Sequence, residues 1–269
     1  MEISIITVGM NHLKFLKDLL PSIFSSGSIS ATFEVIYVDN CSTDGSVEYI
    51  EKNFPEVVLI KNSTPKGFGE NNNLGAAIAN GEYLAIINPD IILFDQCLDL
   101  MLDFMKSNPD TGILVPKLLN KDYTYQNSVR RFITPKIFLS RALARGNDSD
   151  LSKGNSYYLC KDIDINKIQP INWSVGAAYF ISSNHYKSLN GFDEDYFLYM
   201  EDEDLCLRSW KMGKPVIYFP KASMVHNHMR SSKKLGKSMK WHFQSLFTFW
   251  KKNGVNITDY AITNTYKSA

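Results

Sequence analysis

A lone carboxylate, Asp90, follows an apolar stretch that predicts a buried strand, in the sequence YLAIINPDIILF. Proline and aspartate are poor residues for the middle of a strand, so the strand is expected to end there and to present the carboxylate at its tip. A carboxylate in that position could hold a divalent cation through its oxygen atoms. The alternative is an ordinary turn, because Asn, Pro and Asp all favour turns.

Four consecutive acids, Glu201 to Asp204, form a second cluster, the acidic run. Like charges repel, and a helix N-terminus offsets the repulsion by only up to about 1 kcal/mol per acid. Part of the acidic run is expected to serve only as such a helix start. Because the preceding FLYM is strongly apolar, at least one carboxylate is also expected to enter a half-dry cleft. Burial there would raise its pKa and make it a competent general base.

Two histidines, His226 and His228, lie in the sequence VHNH and are followed by a basic stretch that contains Arg230 and three lysines. Two histidines alone do not make a metal site, although they can contribute ligands to one. Basic side chains on a loop suit a phosphate group, whereas a solvated loop is the commoner explanation of such a stretch. The segment leaves both interpretations open.

Two further segments have residues suited to a nucleotide. Asp39 ends a predicted strand in VDNCSTDGS, where it could hydrogen-bond a base or a ribose, or cap the next helix through a turn. The segment Lys66–Gly75, KGFGENNNLG, has glycines that let a backbone approach a ligand closely. It matches neither a Walker loop nor GxGxxG, and a helix entry is its plainer interpretation.

These residues lie along a chain that alternates between strand and helix patterns over roughly its first 120 residues. The spacing predicts a helix that kinks or breaks at Pro21, and another over Gly69–Asn80 that ends at Gly81. Such alternation favours a parallel sheet with helices on its faces, in which ligands bind at the carboxyl ends of the strands. Asp39 and Asp90 both lie at such ends.

The composition limits the class of protein. The chain has 269 residues, 44% of them hydrophobic, and a net charge of +1, so it can bury a real core and has no global field that would attract nucleic acid. Its four cysteines are scattered singly, which suits a reducing cytosol. The N-terminus lacks signal-peptide features and no apolar run reaches about 18 residues, so we expect a cytoplasmic chain without a membrane span.

Taken in order, these motifs resemble the GT-A glycosyltransferases of family 2, especially bacterial rhamnosyltransferases of O-antigen and capsule assembly. The resemblance covers nearly the whole chain and rests on VIYVDNCSTDGS, NSTPKGFGENNNLGAAIANGEYLAIINPD, SVRRFITP, WSVGAAYFIS, GFDEDYFLYMEDEDLCLR and VHNHMRSS. It implies an α/β fold with a Rossmann-like, mostly parallel central sheet flanked by helices. Residues 1–236 would form the catalytic domain and residues 237–269 a C-terminal helical segment. Within the domain, residues 1–119 would bind the nucleotide sugar, and residues 120–236 would bind the acceptor and hold the catalytic group.

The resemblance also implies roles for individual residues. Asp202 looks like the general base. Asp90 and His226 look like ligands of a Mg²⁺ or Mn²⁺ ion, and His228 could substitute for His226. Asn88 stands where many relatives carry an acid, and a neutral amide binds a cation less strongly. Donor binding is implied for Thr7, Gly9, Asp39, Asn40, Gly67, Asn73, Asn88, Asp90 and Arg230. The acceptor and sugar side is implied for Trp173, Gly176 and Glu201.

The implied activity is inverting sugar transfer, which needs one base and one clamp for the leaving diphosphate. Within the family, the segment SVRRFITP is more typical of rhamnosyltransferases, which implies dTDP-rhamnose as donor. The family resemblance itself implies a saccharide acceptor and a place in bacterial surface polysaccharide synthesis. A UDP-linked hexose or N-acetylhexosamine is an alternative donor. A sugar-nucleotide-binding protein without transferase activity is the alternative class. A nucleotidyltransferase is disfavoured, because no basic glycine-rich loop opens the chain.

Contact with the inner face of the cell membrane is expected as well, because enzymes of this family often use an acceptor linked to a lipid diphosphate. Two segments, 130–145 and 237–254, combine basic and apolar residues as interfacial helices do. We expect weak, salt-sensitive association carried mainly by the first segment, whereas the aromatic helix of the second is expected to pack on the sheet. The arginines of the first segment are Arg130, Arg131, Arg141 and Arg145.

Overall fold

The computed structural model describes residues 1–144, 146–227 and 237–263. Its strands are β1 (Ile3–Gly9), β2 (Phe33–Asp39), β3 (Val58–Lys61), β4 (Tyr83–Ile87), β5 (Ile91–Leu93), β6 (Ile113–Leu119), β7 (Val129–Arg130), β8 (Gln169–Pro170), β9 (Trp173–Ser174), β10 (Ala178–Ser182) and β11 (Val216–His226). Its helices are α1 (Leu13–Phe24), α2 (Ser46–Asn53), α3 (Phe68–Ile78), α4 (Cys97–Ser107), α5 (Pro135–Leu143), α6 (Lys153–Tyr158), α7 (Ser183–Ser188), α8 (Glu201–Lys211), α9 (Lys237–Asn253) and α10 (Tyr260–Thr263). Strands and helices alternate up to β4, as the apolar pattern predicts.

The described strands form a nine-stranded sheet in the order β3-β2-β1-β4-β10-β6-β11-β5, with β8 beside β11. Strands β1 to β4 pair in parallel. Strand β10 lies between β4 and β6 and runs antiparallel to both, whereas β6 and β11 are parallel. Strands β5 and β8 run antiparallel to β11. The predicted parallel arrangement therefore holds for the first half of the sheet, and the complete sheet is mixed.

The strand that leads to Asp90 ends where the proline and the acid indicate. β4 stops at Ile87, and Asn88 donates its backbone N–H to the carbonyl of Ala177 at 2.8 Å. The N–H of Ile91 then donates to the Asn88 carbonyl at 3.2 Å, which closes a turn before β5. The carboxylate of Asp90 is therefore presented at a strand tip, as predicted.

Apolar side chains pack on both faces of the sheet. Helices α1 and α4 bury residues such as Leu16 and Met101 in one cluster, and α8 and α9 bury residues such as Leu205 and Phe249 in the other. The alternation of side chains along each strand supplies both clusters. The prediction that the aromatic helix packs on the fold is thus confirmed for its inner face.

Two predictions about helix ends are wrong. Pro21 does not break α1, because it lies near the end of the helix with its ring exposed, and its carbonyl still accepts the N–H of Ser25 at 2.9 Å. Gly81 is not the residue that ends α3, which already stops at Ile78. A Cβ at Gly81 would lie 2.4 Å from the backbone nitrogen of Ser4, so a glycine is needed there for close packing against β1.

The basic segment expected at a membrane surface is partly internal. Arg130, Arg131, Phe132 and Ile137 are buried, and they cannot contact a bilayer. Arg141 donates hydrogen bonds to Asp148 and Asn155, and Arg145 lies outside the described residues. The expectation that the arginines of this segment carry membrane binding is therefore corrected for Arg130 and Arg131. Of the helices in the described part of the chain, none is both long and apolar enough to span a bilayer.

Candidate active site

A cleft of about 640 Å³ lies beside the carboxyl ends of β1 and β11. Ligands of α/β sheets commonly bind at this end, so the cleft is the candidate active site. Its polar wall includes Lys14, Gln126, Arg130, Asp148, His226 and Asn227.

Asp90 and His226, the two predicted metal ligands, lie side by side. The Oδ1 atom of Asp90 is 3.4 Å from the Nε2 atom of His226. The backbone holds them there, because Ile91 pairs with His226 between β5 and β11 and the N–H of Asn227 donates to the Asp90 carbonyl at 2.8 Å. The half-buried Asn88 lies two residues away on the same turn. The structure thus brings residues distant in sequence to one point.

The protonation of His226 is set by Gln126, which the sequence did not single out. Gln126 donates to Asn120 Oδ1 at 3.1 Å and to the His226 carbonyl at 3.4 Å, so its Oε1 faces His226 Nδ1, 2.6 Å away, as an acceptor. Nδ1 therefore carries a proton, and Nε2 faces the carboxylate of Asp90.

The arrangement fits a divalent cation that shares its ligands with a substrate. Burial tends to raise the pKa of Asp90, but the hydrogen bond and charge of His226 outweigh it and lower that pKa. The described residues contain no group of three or more His, Cys, Asp or Glu that could hold a metal. A cation at Asp90 and His226 would therefore complete its shell with water and phosphate oxygens, as Mg²⁺ commonly does.

Asp39 supports both interpretations of its segment. It is buried at the end of β2, and its Oδ2 accepts the N–H of Ser42 at 3.0 Å, which makes the predicted turn. Its Oδ1 is buried and has no hydrogen-bond partner within the described ranges. An unpartnered buried carboxylate oxygen is costly, and a donor group of a ribose or base would satisfy it.

Thr7 and Gly9 lie opposite Tyr37 and Asp39 in the pairing of β1 with β2. A Cβ at Gly9 would lie 1.9 Å from the hydroxyl oxygen of Tyr37, so Gly9 makes room for that ring. The Oγ1 atom of Thr7 is buried, and no described residue hydrogen-bonds to it. Thr7 therefore stays a candidate for donor contact, whereas Gly9 acts by positioning Tyr37.

Asn40 and Gly67 shape the wall of the predicted donor site. Asn40 accepts the N–H of Lys66 at 2.8 Å and donates to the Lys66 carbonyl at 3.0 Å. Gly67 is the N-cap of α3, and a Cβ there would lie 3.0 Å from the carbonyl oxygen of Phe197. Both residues hold the loop before α3 in place, so any effect on a donor would be indirect.

Asn73 has a structural role in place of the predicted donor contact. Its Nδ2 donates to the Phe192 carbonyl and to Glu194 Oε1, each at 2.9 Å. Its Oδ1 accepts the Tyr186 hydroxyl at 2.6 Å and the N–H of Phe192 at 2.9 Å. These four bonds fill the capacity of the amide, so the prediction is corrected: Asn73 ties α3 to the loop before α8.

Asp202, the predicted general base, lies in the first turn of α8. Its Oδ2 accepts the N–H of Gly176 and its Oδ1 the N–H of Glu203, each at 2.9 Å. A Cβ at Gly176 would lie 3.0 Å from the Cβ of Asp202, so a larger residue at position 176 would press on the Asp202 side chain. Gly176 follows Val175, which lines the cleft. Burial raises the pKa of Asp202, against the two N–H donors and the charge of Arg130, which lower it.

The other three carboxylates of the acidic run have different surroundings from those of Asp202. Glu201 is buried, and its Oε2 has no hydrogen-bond partner in the described part of the chain. Glu203 is also buried, and its Oε1 accepts the N–H of Ile133 at 2.5 Å. Burial raises the pKa of both glutamates well above its usual value. Asp204 accepts from Arg208 Nε at 2.6 Å, so only Asp202 combines half-burial with a place beside the cleft.

Trp173 differs from its predicted place on the acceptor side. It is buried in the core, and its Nε1 donates to the Arg131 carbonyl at 2.8 Å. The bond joins β9 to the end of β7, which pair in a separate two-stranded ribbon. Trp173 therefore supports the ribbon from within, and its predicted contact with a sugar is corrected.

Arg130 lines the candidate active site, although the sequence patterns place it in the segment expected at the membrane surface. Arg130, the last residue of β7, lines the cleft, and the next residue, Arg131, lines a second cavity. The two side chains diverge because adjacent residues of an extended chain point to opposite sides. The guanidinium of Arg130 lies 5.8 Å from the ring centre of Tyr158. Nothing in the sequence alone reveals this alternation, because the strand has only two residues. The predicted residues His228 and Arg230 lie outside the described residues.

Known proteins resemble this chain in sequence. The sequence model of Glycosyl transferase family 2 matches residues 4–164. The chain is 25% identical over 256 residues to rhamnosyltransferase WbbL of Escherichia coli (strain K12), covering 91% of each protein. It is 26% identical over 210 residues to the N-acetylglucosaminyl-diphospho-decaprenol L-rhamnosyltransferase of Mycobacterium tuberculosis (strain CDC 1551 / Oshkosh), covering 74% of this chain and 67% of that protein.

Solved structures share the fold at low sequence identity. The structure of GalNAc-T7 with UDP, GalNAc and Mn²⁺ matches 93% of this chain and 49% of its own, with a TM-score of 0.65 and 14% identity. The structure of S. aureus TarS 1-349 with UDP-GlcNAc matches 89% of this chain and 61% of its own, with a TM-score of 0.57 and 18% identity. These likenesses confirm the predicted α/β architecture of the GT-A type.

Proposed function

We propose that this chain, which belongs to glycosyl transferase family 2, moves a sugar from a nucleoside-diphosphate donor to a saccharide acceptor with inversion of the anomeric centre. The observation that carries the proposal is the pairing of Asp90 with His226, 3.4 Å apart, at the carboxyl end of the sheet. Direct displacement by an acceptor hydroxyl needs one base and one clamp for the leaving group, and it needs no protein nucleophile.

Asp202 is the base in this proposal. It accepts the proton of the acceptor hydroxyl as the hydroxyl oxygen bonds to the anomeric carbon and the bond to the diphosphate breaks. Each of its oxygens receives one backbone N–H bond, from Gly176 or Glu203, and each keeps a lone pair for the acceptor. The same two bonds fix the orientation of the carboxylate, which a base acting on one hydroxyl requires.

Asp90 and His226 would hold a Mg²⁺ or Mn²⁺ ion, which would neutralise charge on the departing diphosphate. Mn²⁺ accepts an imidazole ligand more readily than Mg²⁺ does, and Mn²⁺ is present in the GalNAc-T7 structure of the same fold. Arg130 and Lys14 line the same cleft and add positive charge near the phosphates. The buried Oδ1 of Asp39 would accept a hydrogen bond from the nucleoside.

The donor that we propose is dTDP-rhamnose. The segment SVRRFITP favours it, and both the Escherichia coli and the mycobacterial relative are named as rhamnosyltransferases. A UDP-hexose or UDP-N-acetylhexosamine is the second candidate, because TarS was solved with UDP-GlcNAc.

The acceptor that we propose is a saccharide on a lipid diphosphate, at the inner face of the cell membrane in bacterial surface polysaccharide synthesis. The name of the mycobacterial relative specifies an N-acetylglucosaminyl-diphospho-decaprenol. The proposal for this chain extends to that chemical class, a saccharide linked to a lipid diphosphate, and does not select one sugar within it.

A panel of nucleotide sugars tests the proposal. The protein is incubated with Mn²⁺ and dTDP-rhamnose, UDP-glucose or UDP-GlcNAc, and the released nucleotide is measured. We expect release from dTDP-rhamnose, and loss of that release in Asp202→Asn. Release from a UDP-sugar alone would replace the donor and keep the family reaction. Thermal stabilisation by a donor without any release, with or without acceptor, would favour a non-catalytic sugar-nucleotide-binding protein.

A further inference from the structure

An exposed apolar surface on α5 and α9 is not explained by the candidate active site. It consists of Leu139 and Leu143 on α5 and of Phe243 and Phe247 on α9, and we call it the platform. The exposed fractions of these side chains are 60%, 78%, 42% and 65%, respectively. Exposed apolar side chains are ordinary when single, but four on two touching helices form a patch of the kind that binds a partner.

The two helices of the platform are joined by Phe138. Its ring lies edge-on to Phe243, with 6.1 Å between ring centres, and edge-on to Trp250 at 5.9 Å. Phe138 therefore joins α5 to the face of α9 that carries Phe243 and Trp250. The inner face of α9 is anchored separately, because Leu246 and Phe249 are buried in the core. The platform is thus a fixed surface of the fold, with its apolar side outward.

Exposed lysines lie on both helices of the platform, and Asp195 lines the same pocket as Phe247. Neither α5 nor α9 contains an Asp or a Glu. Lys136, Lys240 and Lys251 are exposed and form no salt bridge with any described residue, whereas Lys252 pairs with Asp193 and with another acid of that loop. Lysines around apolar side chains can place their charges at the level of anionic headgroups while the apolar groups lie deeper.

A second cavity, of about 420 Å³, lies beside α5, and Lys136 of that helix lines it. Its wall also includes the buried Arg131, the exposed Lys153 and the hydroxyl-bearing residues Thr134 and Tyr157. Arg131 is already paired with Asp259, 3.3 Å away, so the two lysines are the free cations of this wall among the described residues. Tyr157 donates its hydroxyl hydrogen to Asp259, which also lines this wall, so the two lysines are the groups that would bind a phosphate.

We propose that the platform is a docking surface for an anionic phospholipid bilayer. Its four apolar side chains would enter the membrane interface. The lysines that would bind lipid phosphates are Lys136, Lys153, Lys240 and Lys251. Apolar insertion and basic attraction act together in such binding, which makes it dependent on salt and on anionic lipid. The surface is separate from the cleft, so vesicle binding and sugar transfer are measured independently. A failure to detect vesicle binding would therefore not contradict the proposed sugar transfer, and the reverse also holds.

Co-sedimentation of the full chain with vesicles tests the docking surface. We expect binding to mixed phosphatidylglycerol and phosphatidylcholine vesicles at low salt, weaker binding at physiological salt, and little binding to pure phosphatidylcholine. Leu143→Glu and Phe247→Glu should each reduce anionic-vesicle binding by about tenfold or more. Ile78→Glu, at an apolar residue of α3 that is 45% exposed, is the matched control and should bind like the parent.

The lysines of the platform have their own variants. Lys136→Glu and Lys240→Glu should weaken binding to anionic vesicles and leave binding to neutral vesicles unchanged, whereas Lys52→Glu on α2 should have no effect. Circular dichroism confirms that every variant is folded. Equal binding to neutral and anionic vesicles, or binding unaffected by the platform variants, would overturn the proposal. If the parent protein does not bind vesicles but sediments as a dimer, and the Phe247→Glu variant sediments as a monomer, a second copy of the chain covers the platform.

Discussion

At the scale of single residues, Asp202 differs from its acidic neighbours in what surrounds its carboxylate. Replacing it with Asn keeps the shape and removes the basicity. We expect Asp202→Asn to lower kcat by roughly 10²- to 10⁴-fold, the range usual for a general base, with donor KM little changed. Steady-state kinetics measure both constants. If Glu201→Gln causes the loss and Asp202→Asn does not, the base is Glu201.

The charge of Arg130 should be visible in the pH dependence of the reaction. A base acts only when it is deprotonated, so kcat/KM falls as the pH falls through the pKa of Asp202. Burial raises that pKa above its ordinary 3.8, and Arg130 opposes the rise. Arg130→Gln should therefore move the acid limb of the kcat/KM profile to higher pH, while Arg130→Lys keeps the charge and should move it less. An acid limb unchanged in Arg130→Gln would remove Arg130 from this role.

Asp90 and His226 should behave as one unit if they share a cation. We expect Asp90→Ala and His226→Ala each to weaken donor binding in Mn²⁺ far more than in EDTA, as measured by calorimetry. The double variant should lose little more than either single variant, because the second ligand has no cation left to hold. Donor affinity of the unmodified protein that is identical in Mn²⁺ and in EDTA would instead indicate that the cleft holds the diphosphate without a metal.

At the scale of elements, the strands and helices up to β4 follow from the apolar pattern, because they alternate along the chain and are flanked by turn residues. The antiparallel insertion of β10 does not follow, since its pairing depends on chain segments far apart in sequence. The same holds for the ribbon of β7 and β9, whose two-residue strands have no periodicity to read. That ribbon decides that Arg130 enters the cleft and that Trp173 is internal, and sequence patterns alone place both residues wrongly for this reason.

The loop before α8 is another element that sequence patterns do not define. Tyr199 and Met200 both have left-handed backbone conformations, with φ values of 71° and 68°, although neither is a glycine. Each such residue costs about 1–2 kcal/mol, so the loop must be held by other contacts. Asn73 of α3 supplies three hydrogen bonds to the start of that loop, at Phe192 and Glu194. Asp202 is thus placed beside the cleft by a turn that the rest of the fold stabilises.

Asn73→Ala should separate a structural role from donor binding. We expect a loss of about 1–3 kcal/mol in the free energy of unfolding, because partners at Phe192 and Tyr186 are left unsatisfied. Urea denaturation measures this loss, and donor affinity should stay near that of the parent. Asn53→Ala, which removes one exposed bond on α2, is the control and should cost less. A weakened donor affinity with unchanged stability would restore the donor contact that the motif first suggested.

At the scale of the whole molecule, the candidate site joins distant parts of the chain. Asp39 and Asp90 come from the parallel first half of the sheet, while Asp202 and His226 come from the mixed second half. The shared sheet fixes their relative positions, because β4 pairs with β10 and β5 pairs with β11. The motifs could predict each group of residues, but only the strand order brings Asp90 beside His226 at the cleft.

The buried Glu203 should give the stability of the whole molecule a pH dependence. Its pKa is raised by burial in the folded protein, so between the ordinary value of 4.5 and that raised value the unfolded chain loses a proton that the folded chain keeps. Stability should then fall as the pH rises, by about 1.4 kcal/mol for each pH unit of this window. Glu203→Gln keeps the acceptor for the Ile133 N–H and cannot ionise.

Urea unfolding of Glu203→Gln and of the parent at about pH 5 and about pH 8 measures the difference. Near pH 5 the two proteins should be nearly equal in free energy of unfolding, and near pH 8 the variant should be the more stable. Glu51→Gln, at an exposed acid that pairs with Lys61, is the control and should show no growing advantage. The buried Glu201 is present in both proteins and cancels. A variant less stable than the parent at both pH values would mean that the ionised Glu203 carboxylate is part of the native fold.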